Sequence, residues 1–251
     1  MRRRFLQTYK QGRENLTLVS LEDNNEISLS VAHSYNISAI EMKVNGNSKW
    51  APNGAVILNK GDFIEYRGTV SNMYGVDRIG TFIISKKVDL YGDCTSILKD
   101  RMLFTNALAH LFDSTPVVNI HSTFLPATTL AEDCYCNMFR GCTSLVTAPE
   151  LPATTLVNNC YYGMFYGCTS LTSAPELPAT KLVGNCYSYM FYGCNKLNYI
   201  KAMFISGTLT DGIYNWVNGV ASSGTFVKNP AMTSLPTGSS GIPYGWTVKT
   251  E

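Results

Sequence analysis

The residues most able to do chemistry in this chain are its cysteines, histidines and carboxylates, and their spacing decides what they can do. Six of the eight Cys form three equivalent pairs, eight residues apart: Cys134 and Cys142, Cys160 and Cys168, Cys186 and Cys194. Cys94 and Cys136 stand outside that pattern. A zinc site needs tight ligand pairs such as C-x2-C, with further ligands converging on them. Cys134-Tyr135-Cys136 has the wrong spacing, and no His lies within the repeats. The regular spacing fits buried free thiols acting as small hydrophobes. Disulfide rungs between repeats stay open only if equivalent Cα atoms come within about 7 Å. His33, His110 and His121 have neither an i+4 His nor an E-x-x-H partner. The chain also lacks a G-x-S-x-G elbow and a G-x-x-x-x-G-K-[ST] phosphate loop. Glu150 and Glu176 are equivalent positions in successive repeats, which a structural array explains better than a glycosidase pair. The expectation is a non-enzymatic protein with no metal and no cofactor.

The elements that position these residues follow from a repeat. From Leu125 the chain recurs with a period of 26 residues: LPATTLAEDCYCNMFRGCTSLVTAPE, LPATTLVNNCYYGMFYGCTSLTSAPE, then LPATKLVGNCYSYMFYGCNKLNYIKA, ending at Ala202. The first two units agree at 18 of 26 positions and the last two at 15. A period of this length marks a solenoid, in which each unit contacts mainly its neighbours. Each unit parses into a short extended leg at Leu145 to Ala148, a proline-broken corner at Pro149 and Pro152, and a helical turn. Glu132-Asp133 is expected to cap that turn, Cys134, Tyr135, Met138 and Phe139 to form its apolar face, and Gly141 to end it. Stacking then buries columns of equivalent residues. These are Leu125, Leu151 and Leu177; Leu130, Leu156 and Leu182; Met138, Met164 and Met190; Phe139, Phe165 and Phe191; Leu145, Leu171 and Leu197.

The motif M-F-x-G-C-x-x-L, at Met138 to Leu145, Met164 to Leu171 and Met190 to Leu197, is preceded each time by L-P-A-T. This arrangement resembles the BspA-type bacterial leucine-rich repeat over about 78 residues. The resemblance implies a right-handed solenoid on bacterial surface proteins, used for binding and adhesion, with no intrinsic chemistry. Pro149-Glu150 and Pro175-Glu176 depart from the family pattern, because they stand where an Ile-x-Ile-like strand is expected. That departure implies a shorter or bent strand.

The flanks have a different texture. Residues 1–124 hold 14 basic and 12 acidic groups, against four of each in residues 125–202. Residues 1–14 read as a flexible tail. Residues 15–90 read as a β-sandwich-like domain, with strands at Leu16 to Leu21, Ile27 to Ala32, Ala39 to Val44, Ala55 to Leu58, Phe63 to Val70 and Gly80 to Ile84. Asn45-Gly46 is a strong turn signal, and Trp50 just beyond it reads as partial core rather than as a ligand platform. Residues 91–124 are a connector and N-terminal capping coil. In the latter, Leu111-Phe112, Val117-Val118 and Phe124-Leu125 form a degenerate unit one residue out of phase. Residues 203–251 read as a C-terminal cap, with a short helix from Asp211, its N-cap, to Gly219 around the buried Trp216. The fold class expected is thus an N-terminal all-β sandwich-like domain followed by a short right-handed leucine-rich-repeat solenoid with a C-terminal cap.

Composition bounds the function. A net charge of +2 over 251 residues, 15% of them charged, offers no electrostatic footprint for nucleic acid and no polybasic membrane patch. No apolar run approaches the roughly 18 residues of a membrane span. Met1-Arg2-Arg3-Arg4-Phe5 has the charged head of a signal peptide, but Leu6 to Asn15 lacks the apolar region that should follow. The cell-surface location implied by the resemblance is therefore not encoded by that route. The function expected is a binding or adhesion module recognising a protein or glycan ligand through the solenoid face. Thr147, Glu150, Ser173, Glu176 and Tyr199 would be displayed near the extended leg, with Tyr162, Tyr166 and Tyr192 beside them. Tyr suits recognition because it offers large contact area at low entropy cost. Tyr135, Tyr161 and Tyr187 are expected instead to pack between coils. Two alternatives are a structural or receptor-binding component of a phage-like tail or an intracellular scaffold, and a carbohydrate-binding module.

Overall fold

The computed structural model describes residues 14–31, 39–71 and 78–251. His33 and the Arg2-Arg3-Arg4 start lie outside the described residues. The fold is almost all β, with a β-solenoid of about six turns and almost no helix. This corrects the expected sandwich followed by a helix-containing leucine-rich-repeat solenoid, and the correction has two physical causes.

The first lies in the segment read as a helical turn. In residues 132–141 every fourth residue has left-handed backbone: Asp133 (φ 55), Asn137 (φ 52) and Gly141 (φ 70). The next units repeat this at Asn159, Gly163 and Gly167, then at Asn185, Tyr189 and Gly193. Asn, Asp and Gly are the residues that tolerate this conformation. A left-handed residue at every fourth position makes an α-helix impossible and turns the segment into a chain of successive tight turns. Backbone donors then alternate. Cys134, Cys136, Met138 and Arg140 donate to the carbonyl three residues back within their own coil. Tyr135, Asn137, Phe139 and Gly141 donate to Cys160, Tyr162, Met164 and Tyr166 of the next coil. The apolar i, i+1, i+4, i+5 pattern is the four-residue period of this turn ladder, not the 3.6-residue period of a helix.

The second cause lies at the amino terminus, where two sheets run into the solenoid. The larger has the order β4-β3-β6-β1-β8-β9, built from β1 (Leu16–Ser20), β3 (Ile40–Val44), β4 (Ala51–Pro52), β6 (Phe63–Gly68), β8 (Val88–Tyr91) and β9 (Val117–Ile120). The smaller has the order β5-β2-β7, from β2 (Asn25–Val31), β5 (Val56–Leu58) and β7 (Gly80–Ile84). The pair β8–β9 is parallel, and β9 is the extended leg of the first solenoid coil. On the other side, Phe82 in β7 donates its N–H to Leu111 O, in the first turn ladder, at 2.8 Å. Both sheets thus hand their hydrogen bonding to the coils, and one continuous apolar core runs from Leu16 to Trp246.

Extended legs stack on one side of the solenoid. Parallel bridges join Asn119 to Thr147 and Ser173 to Tyr199. Strand β11 (Tyr199–Ala202) then pairs in parallel with β13 (Thr225–Lys228), and β13 with β14 (Thr247–Thr250). A third leg pairs β10 (Lys181–Leu182) with β12 (Ser206–Gly207). The region read as a terminal cap therefore continues the coils. Only Leu209–Gly212 forms a helical turn, Asp211 lies inside it, and residues 213–219 resume the turn ladder with left-handed Asn215 and Gly219. Trp216 is buried and its indole donates to Gly241 O at 2.9 Å.

Equivalent side chains form columns. Phe82, Phe112, Phe139, Phe165 and Phe191 stack in sequence with centroid spacings of 4.9 to 5.8 Å, and Trp216 follows at 6.2 Å. Tyr135, Tyr161 and Tyr187 form a second buried stack. Of the Leu, Met and Phe columns, all members are buried except Leu130, which is half-buried. All eight cysteines are free. Cys142, Cys168 and Cys194 each donate the thiol to a carbonyl of the preceding coil, Phe112 O, Phe139 O and Phe165 O, at 3.0, 3.1 and 3.0 Å.

Candidate functional site

The repeat turns the period into two displayed surfaces. On the extended-leg side, Thr147, Ser173 and Tyr199 are exposed along neighbouring strands. The Thr147 hydroxyl donates to Asn119 Oδ1 at 3.2 Å. Glu150 and Glu176 are exposed too, and Glu176 shares Lys201 with Glu251 at 3.4 and 3.0 Å. Hydrogen bonds donated to Glu251 first and to Glu176 hold that lysine above its ordinary pKa. On this side Thr147 pairs with Asn119, and Glu176 pairs with Lys201.

The turn-ladder side is different. Tyr166 and Tyr192, 26 residues apart, stack with centroids 4.8 Å apart and planes 6° from parallel. That spacing is the 4.7–4.9 Å distance between neighbouring strands, so the ladder itself sets the contact. Arg140 occupies the same repeat position one coil earlier, its guanidinium 5.5 Å from the Tyr166 ring, within cation–π range. Beside this column, Tyr189 meets Tyr162 at 5.6 Å, Tyr214 at 5.4 Å and Tyr192 at 5.9 Å. Five tyrosines from three coils therefore form one terrace. Tyr162, Tyr166, Tyr189 and Tyr192 are half-buried and Tyr214 is 49% exposed.

Tyr189 has φ 57. It occupies the left-handed position filled by Asn137, Gly163 and Asn215 in other coils, and a bulky residue there is costly. The structure accepts that cost and places the ring at the centre of the terrace. Of the sequence-derived display residues, the turn ladder gathers Tyr162, Tyr166 and Tyr192, whereas Thr147, Glu150, Ser173, Glu176 and Tyr199 sit apart from them on the extended-leg side. Tyr189, Tyr214 and Arg140 were not singled out by sequence. Their signal was in the repeat alignment, where Arg140 shares the column of Tyr166 and Tyr192, and Tyr189 breaks a column of Asn and Gly.

A groove of about 550 Å³ adjoins the terrace, lined by Arg78, Thr81, Asp113, Ser114, Arg140 and Tyr166 together with the bare backbone of Gly141 and Gly167. His110 Nδ1 and Asp113 Oδ2 lie 2.7 Å apart, and Ser114 donates to Asp113 Oδ1 at 2.8 Å. Elsewhere, Trp50 is half-buried beneath two cations, Lys43 at 4.8 Å and Arg67 at 4.3 Å from its centroid. His121 stacks on Tyr91 at 3.7 Å. Among the described residues no three His, Cys, Asp or Glu converge as a metal site, and no helix is long and apolar enough to cross a membrane.

The thiols are chemically quiet. Burial raises Cys142 and Cys194 to about 12. Half-buried Cys136 is also raised to about 12, by burial first and by Asp133 second. A nucleophilic thiol needs the opposite shift.

No family model, no curated protein and no solved structure matches this chain. The motif that resembles BspA-type repeats thus finds no relative among them.

Proposed function

We propose that this protein is a non-enzymatic binding module that recognises a protein or glycan partner through the turn-ladder side of its solenoid. The observation that carries the reading is the terrace of Tyr162, Tyr166, Tyr189, Tyr192 and Tyr214, for which one residue accepts left-handed backbone. Tyr166 and Tyr192 lie face to face, so they offer ring edges and phenol hydroxyls outward, and Tyr214 adds exposed ring surface. Rigid aromatic groups of this kind supply contact area with few torsions to immobilise. The test is an array of immobilised glycans and extracellular proteins, probed with wild type and with Tyr192→Ala/Tyr214→Ala. Wild type is expected to retain specific partners that the variant binds at least about tenfold more weakly. A blank array, or equal retention of both proteins, contradicts the reading.

A further inference from the structure

We infer that the groove between Arg78 and Arg140 binds an acidic saccharide through its carboxylate. This inference rests on the binding-module reading above and names the ligand class for one end of the tyrosine terrace. The groove lies where β7 meets the first coils: Arg78 and Thr81 come from the amino-terminal sheet region, Asp113 and Ser114 from the first turn ladder, and Arg140 and Tyr166 from the next two. Junctions of this kind are where ligand sites concentrate.

Charge selects an anion. Among the described residues neither Arg78 nor Arg140 has an ion pair, whereas Arg67 and Arg101 each hold a carboxylate. Asp113 is the only carboxylate among the described residues lining the groove, and His110 and Ser114 already engage it. Two guanidiniums therefore line the groove with their donor forks unspent among the described residues. Planar bidentate donors of this type match a carboxylate.

The rest of the lining selects a saccharide over an acidic peptide. Thr81 and Ser114 bring hydroxyls, and Gly141 and Gly167 leave the floor as bare backbone. Tyr166 adds a ring edge, because Arg140 and Tyr192 lie over its two faces along the column. No aliphatic side chain lines the groove to anchor a peptide residue, and the edge strand β7, which lends Thr81, already spends its Phe82 N–H on Leu111 O. A hydroxyl-rich ring with one acid group meets every element of this surface.

The test is isothermal titration of the full chain with trigalacturonate, its methyl-esterified form, and hexaglutamate. Trigalacturonate is expected to bind, and the ester, the same sugar without charge, to bind at least about tenfold more weakly. Arg78→Ala and Arg140→Ala should each weaken trigalacturonate at least about tenfold, the low end of the range for one charged hydrogen bond. Neither side chain holds an ion pair among the described residues, and a circular dichroism spectrum matching wild type shows that each variant is folded. Arg140→Lys keeps the charge but loses the fork, and should recover only part of the affinity. Absence of trigalacturonate binding, equal binding of the ester, equal or tighter binding of hexaglutamate, or indifference to both Arg→Ala changes overturns the inference. If the array yields a neutral ligand that depends on Tyr192 and Tyr214, the terrace reading stands and this inference alone falls. If uronate binds through the arginines while the array partners ignore the tyrosines, the groove stands without the terrace.

Discussion

The thiols of Cys142, Cys168 and Cys194 show how single residues are tuned to this fold. Each donates to a Phe carbonyl of the coil before it, which a Val or Ala of similar size could not do. In the first coil Thr115 fills the equivalent place, its hydroxyl donating to Phe112 O at 2.7 Å. Burial raises these thiols from 9.0 to about 12 for Cys142 and Cys194, and upward also for Cys168. The sign of the linkage follows. Between those values the unfolded chain releases protons that the folded chain keeps, so stability is fully present below pH 9 and is lost as pH rises toward 12. The melting temperature is expected to hold from pH 7 to 8.5 and to fall steadily from pH 9 to 11. Alkylation of the native protein at pH 8 should label none of the three, against complete labelling in urea. A flat melting temperature up to pH 11 would show that these thiols are not buried as described.

At the scale of elements, the turn ladder is what the sequence concealed. The columns of Leu, Met and Phe were legible, because equivalent residues 26 apart must stack in any solenoid. The conformation joining them was not. Cys134, Tyr135, Met138 and Phe139 fit a helical face as well as a four-residue turn period. Asp133, Asn159 and Asn185 suit a helix cap as well as a left-handed turn. The two readings differ in sign at Gly167, whose φ is 71 and whose added Cβ would meet only Gly141 backbone, at 3.9 Å. In a helix, Gly→Ala stabilises by about 0.5–1 kcal/mol. In left-handed backbone with free space, Gly167→Ala should destabilise by about 1–2 kcal/mol, measured by urea denaturation. A stabilised variant would restore the helix. The candidate site was half legible for the same reason. Tyr162, Tyr166 and Tyr192 stood out as displayed aromatics, but the role of Tyr189 depends on a backbone conformation that residue type argues against.

At the scale of the whole molecule, the amino-terminal sheets and the coils form a single body. The strands read between Leu16 and Ile84 were close to those observed. What the sequence hid was the pairing of β8 (Val88–Tyr91), whose parallel partner β9 lies in the first coil. Pairing across that distance leaves no local trace, so a continuous sheet read as a separate sandwich. This continuity brings Arg78 and Arg140 to one groove and carries the tyrosine terrace on the middle coils of the same stack. The whole arrangement depends on backbone hydrogen bonds that leave each turn ladder for the next coil. Solution NMR measures these directly, through scalar couplings across hydrogen bonds and the backbone φ of the left-handed positions. Couplings from the N–H of Tyr135 to Cys160 C=O and of Tyr161 to Cys186 C=O, with positive φ at Asn137, Asn159 and Tyr189, are the expected result. Couplings confined to i→i−4 pairs within residues 134–141, with negative φ throughout, would contradict it.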